Sequence, residues 1–235
     1  MDPTQVFWST HYVRHNQRRQ EHLASLGLRL ANRTVLEVGA GIGDHTSFFV
    51  DRGCKVTVTE AQEQNLSLLR NRYPDLDVRR LDLNAPPAQE IEADVVYCYG
   101  TLYHLEEPAR ALAWMARCAR KMLLLETCVA AGDADELRPF EERAGAPENA
   151  PSGHGCRPTR SWLRRELASG FSHVYMPLTQ PSHEEFPMDW SSVDLAGRPL
   201  TRAVFVASHQ PIANRLLTEA IPIKQVHEVW ELADR

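Results

Sequence analysis

The chain has 235 residues, 43% of them hydrophobic and 24% charged, with 31 acids against 26 bases for a formal net charge of -5. That size suits one α/β domain with a sizeable core, and the acidic balance disfavours a partner that offers a run of phosphates. No apolar run approaches the roughly 18 residues that span a bilayer, and the N-terminus, with Asp2 and no basic-then-apolar order, does not read as a secretory leader, so a cytoplasmic protein is expected.

In chain order, residues 5–31 read as a helix, with apolar ends and the polar stretch His15–His22 between them. Thr34–Val38 is a short buried strand that runs into glycines. Asp44–Arg52 reads as helix, Lys55–Glu60 as strand, Gln62–Arg72 as helix, Val78–Leu83 and Asp94–Tyr99 as strands, Pro108–Ala119 as helix and Lys121–Thr127 as strand. Strands alternating with helices imply a parallel sheet covered on both faces. The rhythm breaks in 130–158, rich in Gly, Pro and charge, which reads as a long functional loop. Arg160–Leu167 resumes as a helix capped by Thr159, and Phe171–Met176 and Leu200–Ala207 are late strands flanking a second irregular segment, 177–199. An amphipathic tail, 212–235, closes the chain and suits either a dimer contact or packing on its own domain. The five cysteines include no CxxC spacing, which fits a reduced protein.

The chemistry gathers behind the first strand, in Glu37-Val-Gly-Ala-Gly-Ile-Gly43. Glycines at alternate positions let the backbone turn tightly and approach a ligand, and the following helix aims its N-terminus there. The spacing is GxGxG, not the GxGxxG of a dinucleotide site, and no Gly-Lys-Ser/Thr ending marks a phosphate loop. Glu37 would repel a pyrophosphate and suits a cationic ligand. Glu60, at the end of the second strand, is placed to accept both hydroxyls of a ribose, and Asp82 to accept from an adenine amino group while Leu83 packs on the ring.

Together these segments resemble the class I S-adenosylmethionine-dependent methyltransferases. Glu37–Gly43 resembles their first motif, Glu60 the second, Asp82 the third and Asp94–Pro108 the fourth. The resemblance covers about residues 33–127. It implies a Rossmann-like fold with a mostly parallel seven-stranded sheet and an antiparallel last strand. It also implies a single domain: a helical lid at 1–32, a cofactor half at 33–127, an acceptor half at 128–209 and a tail at 210–235. The cofactor residues it implies are Glu37, Gly39, Ala40, Gly41, Gly43, Glu60, Ala61, Asp82, Leu83 and Tyr99.

Methyl transfer to an alcohol needs a base. Small-molecule O-methyltransferases carry a His-His pair after the fourth strand; here Tyr103 replaces the first and His104 matches the second, which makes His104 the candidate base or a helix cap. Glu126, at the end of the fifth strand, is the candidate to orient it or to hold an acceptor hydroxyl. His11, Tyr12, Tyr103, His154, His183 and Glu184 sit on segments expected to rim the acceptor pocket. The histidines, with Glu126, Glu184 and Glu185, are also a weak candidate set for a divalent cation such as magnesium. Gly155–Leu163, Met176–Trp190 and Leu200–Ser208 are similar to bacterial methyltransferases among saccharide-modifying enzymes, of the kind that 1-O-methylate mannosides. The expected reaction is methylation of a hydroxyl on a sugar or glycoside. The rivals are N- or carboxyl methylation, a non-catalytic protein that binds the same cofactor, and a nicotinamide enzyme. Nucleic-acid methylation is disfavoured by charge and by the lack of an Asn-Pro-Pro-Tyr-like tetrad after the fourth strand.

Overall fold

A computed structural model describes residues 2–132, 134–142, 145–150, 152–192, 195, 200–227 and 229–232. Parts of the two predicted loops (133, 143–144, 151, 193–194 and 196–199) and of the tail (228 and 233–235) lie outside the described residues.

The chain enters through two short helices, α1 (Pro3–Phe7) and α2 (Thr10–Ser25). A single helix was the expectation. Ser9 splits it: its hydroxyl accepts from the Tyr12 amide and starts a new helix, while Asp2 and Pro3 start the first. Then come β1 (Thr34–Val38), α3 (Thr46–Val50), β2 (Lys55–Glu60), α4 (Glu63–Arg72), β3 (Asp77–Arg80), β4 (Ala93–Tyr99), α5 (Pro108–Cys118) and β5 (Ala119–Cys128). They are followed by β6 (Leu137–Glu141), β7 (His154–Pro158), α6 (Arg160–Gly170), β8 (His173–Pro177), β9 (Arg202–Ser208) and β10 (Leu217–Thr218).

Among the described residues the main sheet runs in the order β3-β2-β1-β4-β5-β9-β8-β10. The first five strands are parallel, and β9 lies antiparallel between β5 and β8. This is the expected seven-stranded sheet, with the two-residue β10 added at one edge. Both faces are covered. Leu36, Val38, Val96, Cys98, Leu123 and Leu125 face α5 and α6. Val35, Val58, Val95, Tyr97 and Leu124 face Leu23 of α2, Phe49 of α3 and Leu66 and Leu69 of α4. The period-2 alternation of each strand divides one sequence run between these two cores. Strand order reverses between β1 and β4, so the crevice opens beyond their carboxyl ends.

Two local expectations change. β3 ends at Arg80, and Leu81–Leu83 belongs to a turn in which the Asp82 carboxylate accepts from the Asn84 amide. The predicted loop 130–158 contains an antiparallel hairpin, β6 with β7. Its first strand is exposed throughout, so backbone pairing holds it without an apolar pattern. The tail packs on its own domain: the Gln180 amide bonds to the Val226 carbonyl, the Val226 amide to the Leu178 carbonyl, and Gln225 and Val226 are buried. All five cysteines are unpaired, and four are buried. No helix among the described residues is long and apolar enough to cross a membrane.

Candidate active site

The loop after β1 folds around glycines with positive φ. A Cβ on Gly39 would lie 2.2 Å from the Thr101 hydroxyl, so only glycine lets the β1 and β4 ends close on each other. Gly43 acts differently from its expected role. A Cβ there would meet Leu69 and Tyr73 at 2.7 Å, and Gly43 lines neither compartment of the cleft; it seats the loop on α4.

Glu60 is buried and pinned by backbone: one oxygen accepts from the Gly41 amide at 2.8 Å, the other from Ala61 and Gln62 at 2.9 Å each. Burial raises its pKa against the pull of these three donors. Glu37, also buried, accepts from the Thr46 hydroxyl at 2.7 Å, and burial pushes its carboxyl up to about 7.

The cleft has two compartments that share Phe7, Gly39, Gly41, Gly100 and Glu148. The first is lined by Tyr12, His15, Asn16, Arg19, Glu37, His45, Tyr97, Tyr99, Tyr103 and Arg202. The second is lined by Glu60, Ala61, Asn65, Asp82, Leu83, Thr101 and His104. Their volumes are about 70 and 110 Å³. Pockets that enclose a small ligand run to roughly 300–1,000 Å³, so the cleft is narrow, and Phe7 of α1 lines both of its compartments.

The residues fit a nucleoside with a charged tail. Leu83 is buried beside the Asp82 carboxylate, Glu60 faces the same compartment, and the orphaned Asn65 Oδ1 lies with them. Glu37 faces the other compartment, as does Tyr99, whose hydroxyl is buried with no hydrogen-bond partner. An unpaired buried hydroxyl is costly unless a ligand completes it.

Two expectations about the reacting end are corrected. Glu126 does not meet His104. It is fully buried and ties together two arginines, accepting from Arg19 Nη1 at 2.7 Å and Arg202 Nη1 at 3.1 Å. Burial would raise its pKa, but Arg202 and Arg19 more than offset this and hold it below the ordinary carboxylate value. Arg202 also donates to Glu185 and, at 3.3 Å, to the Tyr103 hydroxyl. The partner of His104 is Glu142, at the foot of the β6–β7 hairpin, 2.6 Å from Nδ1. Burial lowers the His104 pKa despite this carboxylate. His104 moreover stands on the Glu60 side of the cleft, whereas Tyr103 and Tyr12 face the arginines. His154 is exposed on β7, its strand partner is Glu141, and it lines none of the described cavities.

His11, His183 and Glu184 do come together, but outside the cleft, along a groove that also holds Glu185. Sequence reading missed Arg19, His45, Glu142 and Arg202. The buried face of α2 (His15, Asn16, Arg19, His22, Leu23) carries polar groups where an ordinary amphipathic helix has apolar ones, and that pattern was the available signal.

Residues 36–122 match the methyltransferase-domain family. The match runs from β1 into β5, over less than half of the chain. It is 30% identical over 95 residues to a probable S-adenosylmethionine-dependent methyltransferase of Mycolicibacterium smegmatis, covering 40% of this chain and 37% of that one. It is 31% identical over 144 residues to the tRNA U34 carboxymethyltransferase of Methylococcus capsulatus, covering 58% and 44%. The chain thus spans less than half the length of these relatives. Among solved structures it resembles the N-terminal domain of EvdMO1 with S-adenosylhomocysteine and D-fucose, with a TM-score of 0.63 and 21% identity over 86% of this chain and 85% of that one. It also resembles the magnesium protoporphyrin IX methyltransferase of Synechocystis with bound S-adenosylmethionine, with a TM-score of 0.57 and 16% identity over 85% and 81%. These structural likenesses show the fold.

Proposed function

We propose that the chain transfers a methyl group from S-adenosylmethionine to a hydroxyl of a small polar acceptor, of the saccharide class. The observation that carries this reading is the divided cleft. The Glu60–Asp82–Leu83 compartment suits an adenosine, Glu37 suits an ammonium, and the far wall is a buried polar lining of Arg19, Arg202, Tyr12 and Tyr103. Such a wall offers hydroxyl and guanidinium donors to an oxygen-rich acceptor and little apolar surface. The likeness to a domain solved with D-fucose supports the acceptor class.

The cofactor supplies the methyl group on a sulfonium; the protein aligns acceptor, carbon and sulfur, a contribution of roughly 7–11 kcal/mol in ideal cases. Deprotonation of the acceptor falls to His104, whose Glu142 partner stabilises the imidazolium that forms. This requires the reacting hydroxyl at the neck near Gly100, which the two compartments share.

A screen of sugars and glycosides, read by release of S-adenosylhomocysteine, tests the acceptor class. Turnover is expected with polyols and not with amines or carboxylic acids; methylation confined to an amine or a carboxylate contradicts it. In that assay His104→Ala is expected to cut kcat about 100- to 10,000-fold. Unchanged turnover and an unchanged pH–rate profile would reduce His104 to an anchor for the hairpin.

A further inference from the structure

The methyl-transfer reading leaves one cluster unused. His11 and His15 lie four residues apart on α2, which puts both imidazoles on one helix face. His183 crosses from the segment after β8, its ring centroid 4.8 Å from His15 and 5.5 Å from His11. Glu185 stands among them, with Oε1 3.3 Å from His11 Nε2 and Oε2 3.7 Å from His15 Nε2. Ligand atoms of His15, His183 and Glu185 all lie within 4.8 Å of one another, as do those of His11, His183 and Glu184.

Buried imidazole nitrogens ordinarily find a partner. Here His15 Nε2 and His183 Nε2 are both buried and make no hydrogen bond, on residues only 2% and 3% exposed, and each has a carboxylate oxygen nearby, Glu185 Oε2 at 3.7 Å and Glu184 Oε2 at 3.5 Å. His183 Nδ1 makes only a long contact, 3.4 Å, with the Glu185 amide. Ligation through Nε2 puts the proton on Nδ1 and gives up that contact.

We propose that His15, His183 and Glu185, with His11 as a fourth ligand, hold a divalent transition-metal ion of the zinc, cobalt, nickel or iron group. Three imidazoles and one carboxylate suit these ions. Magnesium takes oxygen ligands and keeps its waters, so of the divalent cations it suits this nitrogen-rich cluster less well. Arg202 Nε donates to Oε2 of Glu185, the oxygen nearer His15, and so fixes the carboxylate with Oε1 turned to His11. The ion lies in the wall between the first compartment, which His15 lines, and an outer groove of about 780 Å³ lined by His11, His183, Glu184 and Glu185. On the groove side a fifth position is open to one hydroxyl of a sugar. That use rests on the O-methylation reading; the site itself does not.

The test takes untagged full-length protein, stripped with chelator and dialysed against zinc, with bound metal measured by mass spectrometry and cobalt titrated in parallel by visible absorption. Wild type is expected to hold one ion per chain, with the cobalt spectrum of a low-coordinate nitrogen and oxygen site. His183→Ala is expected to lose it, and His11→Ala, at an exposed position that the fold does not need, to bind at least tenfold more weakly. A folded wild type that takes up no stoichiometric metal, or a folded His183→Ala or His11→Ala that binds as wild type does, overturns the proposal. Calorimetry with S-adenosylhomocysteine on the same samples separates the two readings: metal retained without nucleoside binding sinks the methyltransferase reading alone, and nucleoside binding without metal sinks this one alone.

Discussion

The two ends of the cleft are built by different means. The donor end is backbone and apolar surface: five parallel strands, a glycine loop, and one carboxylate, Glu60, fixed by three amides no more than 19 residues from it in the chain. The far end is held by buried charges that no local spacing joins: Arg19 to Glu126, and Arg202 to Glu126 and Glu185. The first kind of construction tolerates change in any one contact, whereas the second concentrates its cost in single atoms, because a buried charge without its partner is expensive.

That contrast can be broken most directly at Glu126. Glu126→Gln leaves Arg19 and Arg202 buried without their shared counter-charge and is expected to lower stability by about 3–5 kcal/mol in urea unfolding. A loss under about 1 kcal/mol, the surface-pair value, would show that the arginines are solvated and that the two ends do not differ. Gly43→Ala probes the donor end through packing. With φ at 82° and Leu69 and Tyr73 at 2.7 Å from the new Cβ, it is expected to cost about 1–3 kcal/mol. S-adenosylhomocysteine affinity should change little in the folded fraction; a selective loss of affinity would return Gly43 to the ligand site.

The smallest effect is a pH dependence at Glu37. Its carboxyl, pushed up to about 7, stabilises the ligand-free fold fully below its unfolded pKa near 4.5, and that contribution is lost as pH rises through 7. A ligand ammonium reverses the preference, because it pairs only with the charged form. S-adenosylhomocysteine should therefore bind about tenfold more tightly at pH 8 than at pH 6, a difference of about 1.4 kcal/mol. Glu37→Gln should abolish that slope; a slope that persists in the variant assigns it to another group.

Legibility in the sequence follows the same division. β1 and β2 lie where their β-branched runs and flanking glycines place them, because local pattern and tertiary role agree there. The hairpin β6–β7 was not legible: its first strand is exposed along its whole length and contains Pro139, so no alternation betrays it, and Glu142 came with it. Glu126 read as a ligand-facing acid because strand ends usually face the crevice. Its two arginines, 107 and 76 residues away, turn it into a buried anchor, and no spacing rule connects them. The His11–His15 spacing was visible in the chain and passed over among scattered histidines. What gives it meaning is His183, brought to within 5.5 Å of His11 by the packing of the segment after β8 on α2.

The central claim is that the compartment around Glu60 holds the nucleoside of the methyl donor. Calorimetric titration of wild type and Glu60→Ala with S-adenosylhomocysteine tests it. One site per chain is expected in wild type, weakened about 100-fold, or about 2.7 kcal/mol, in a Glu60→Ala protein that still unfolds cooperatively. Equal affinity in the two proteins, or no binding to wild type at all, would contradict it.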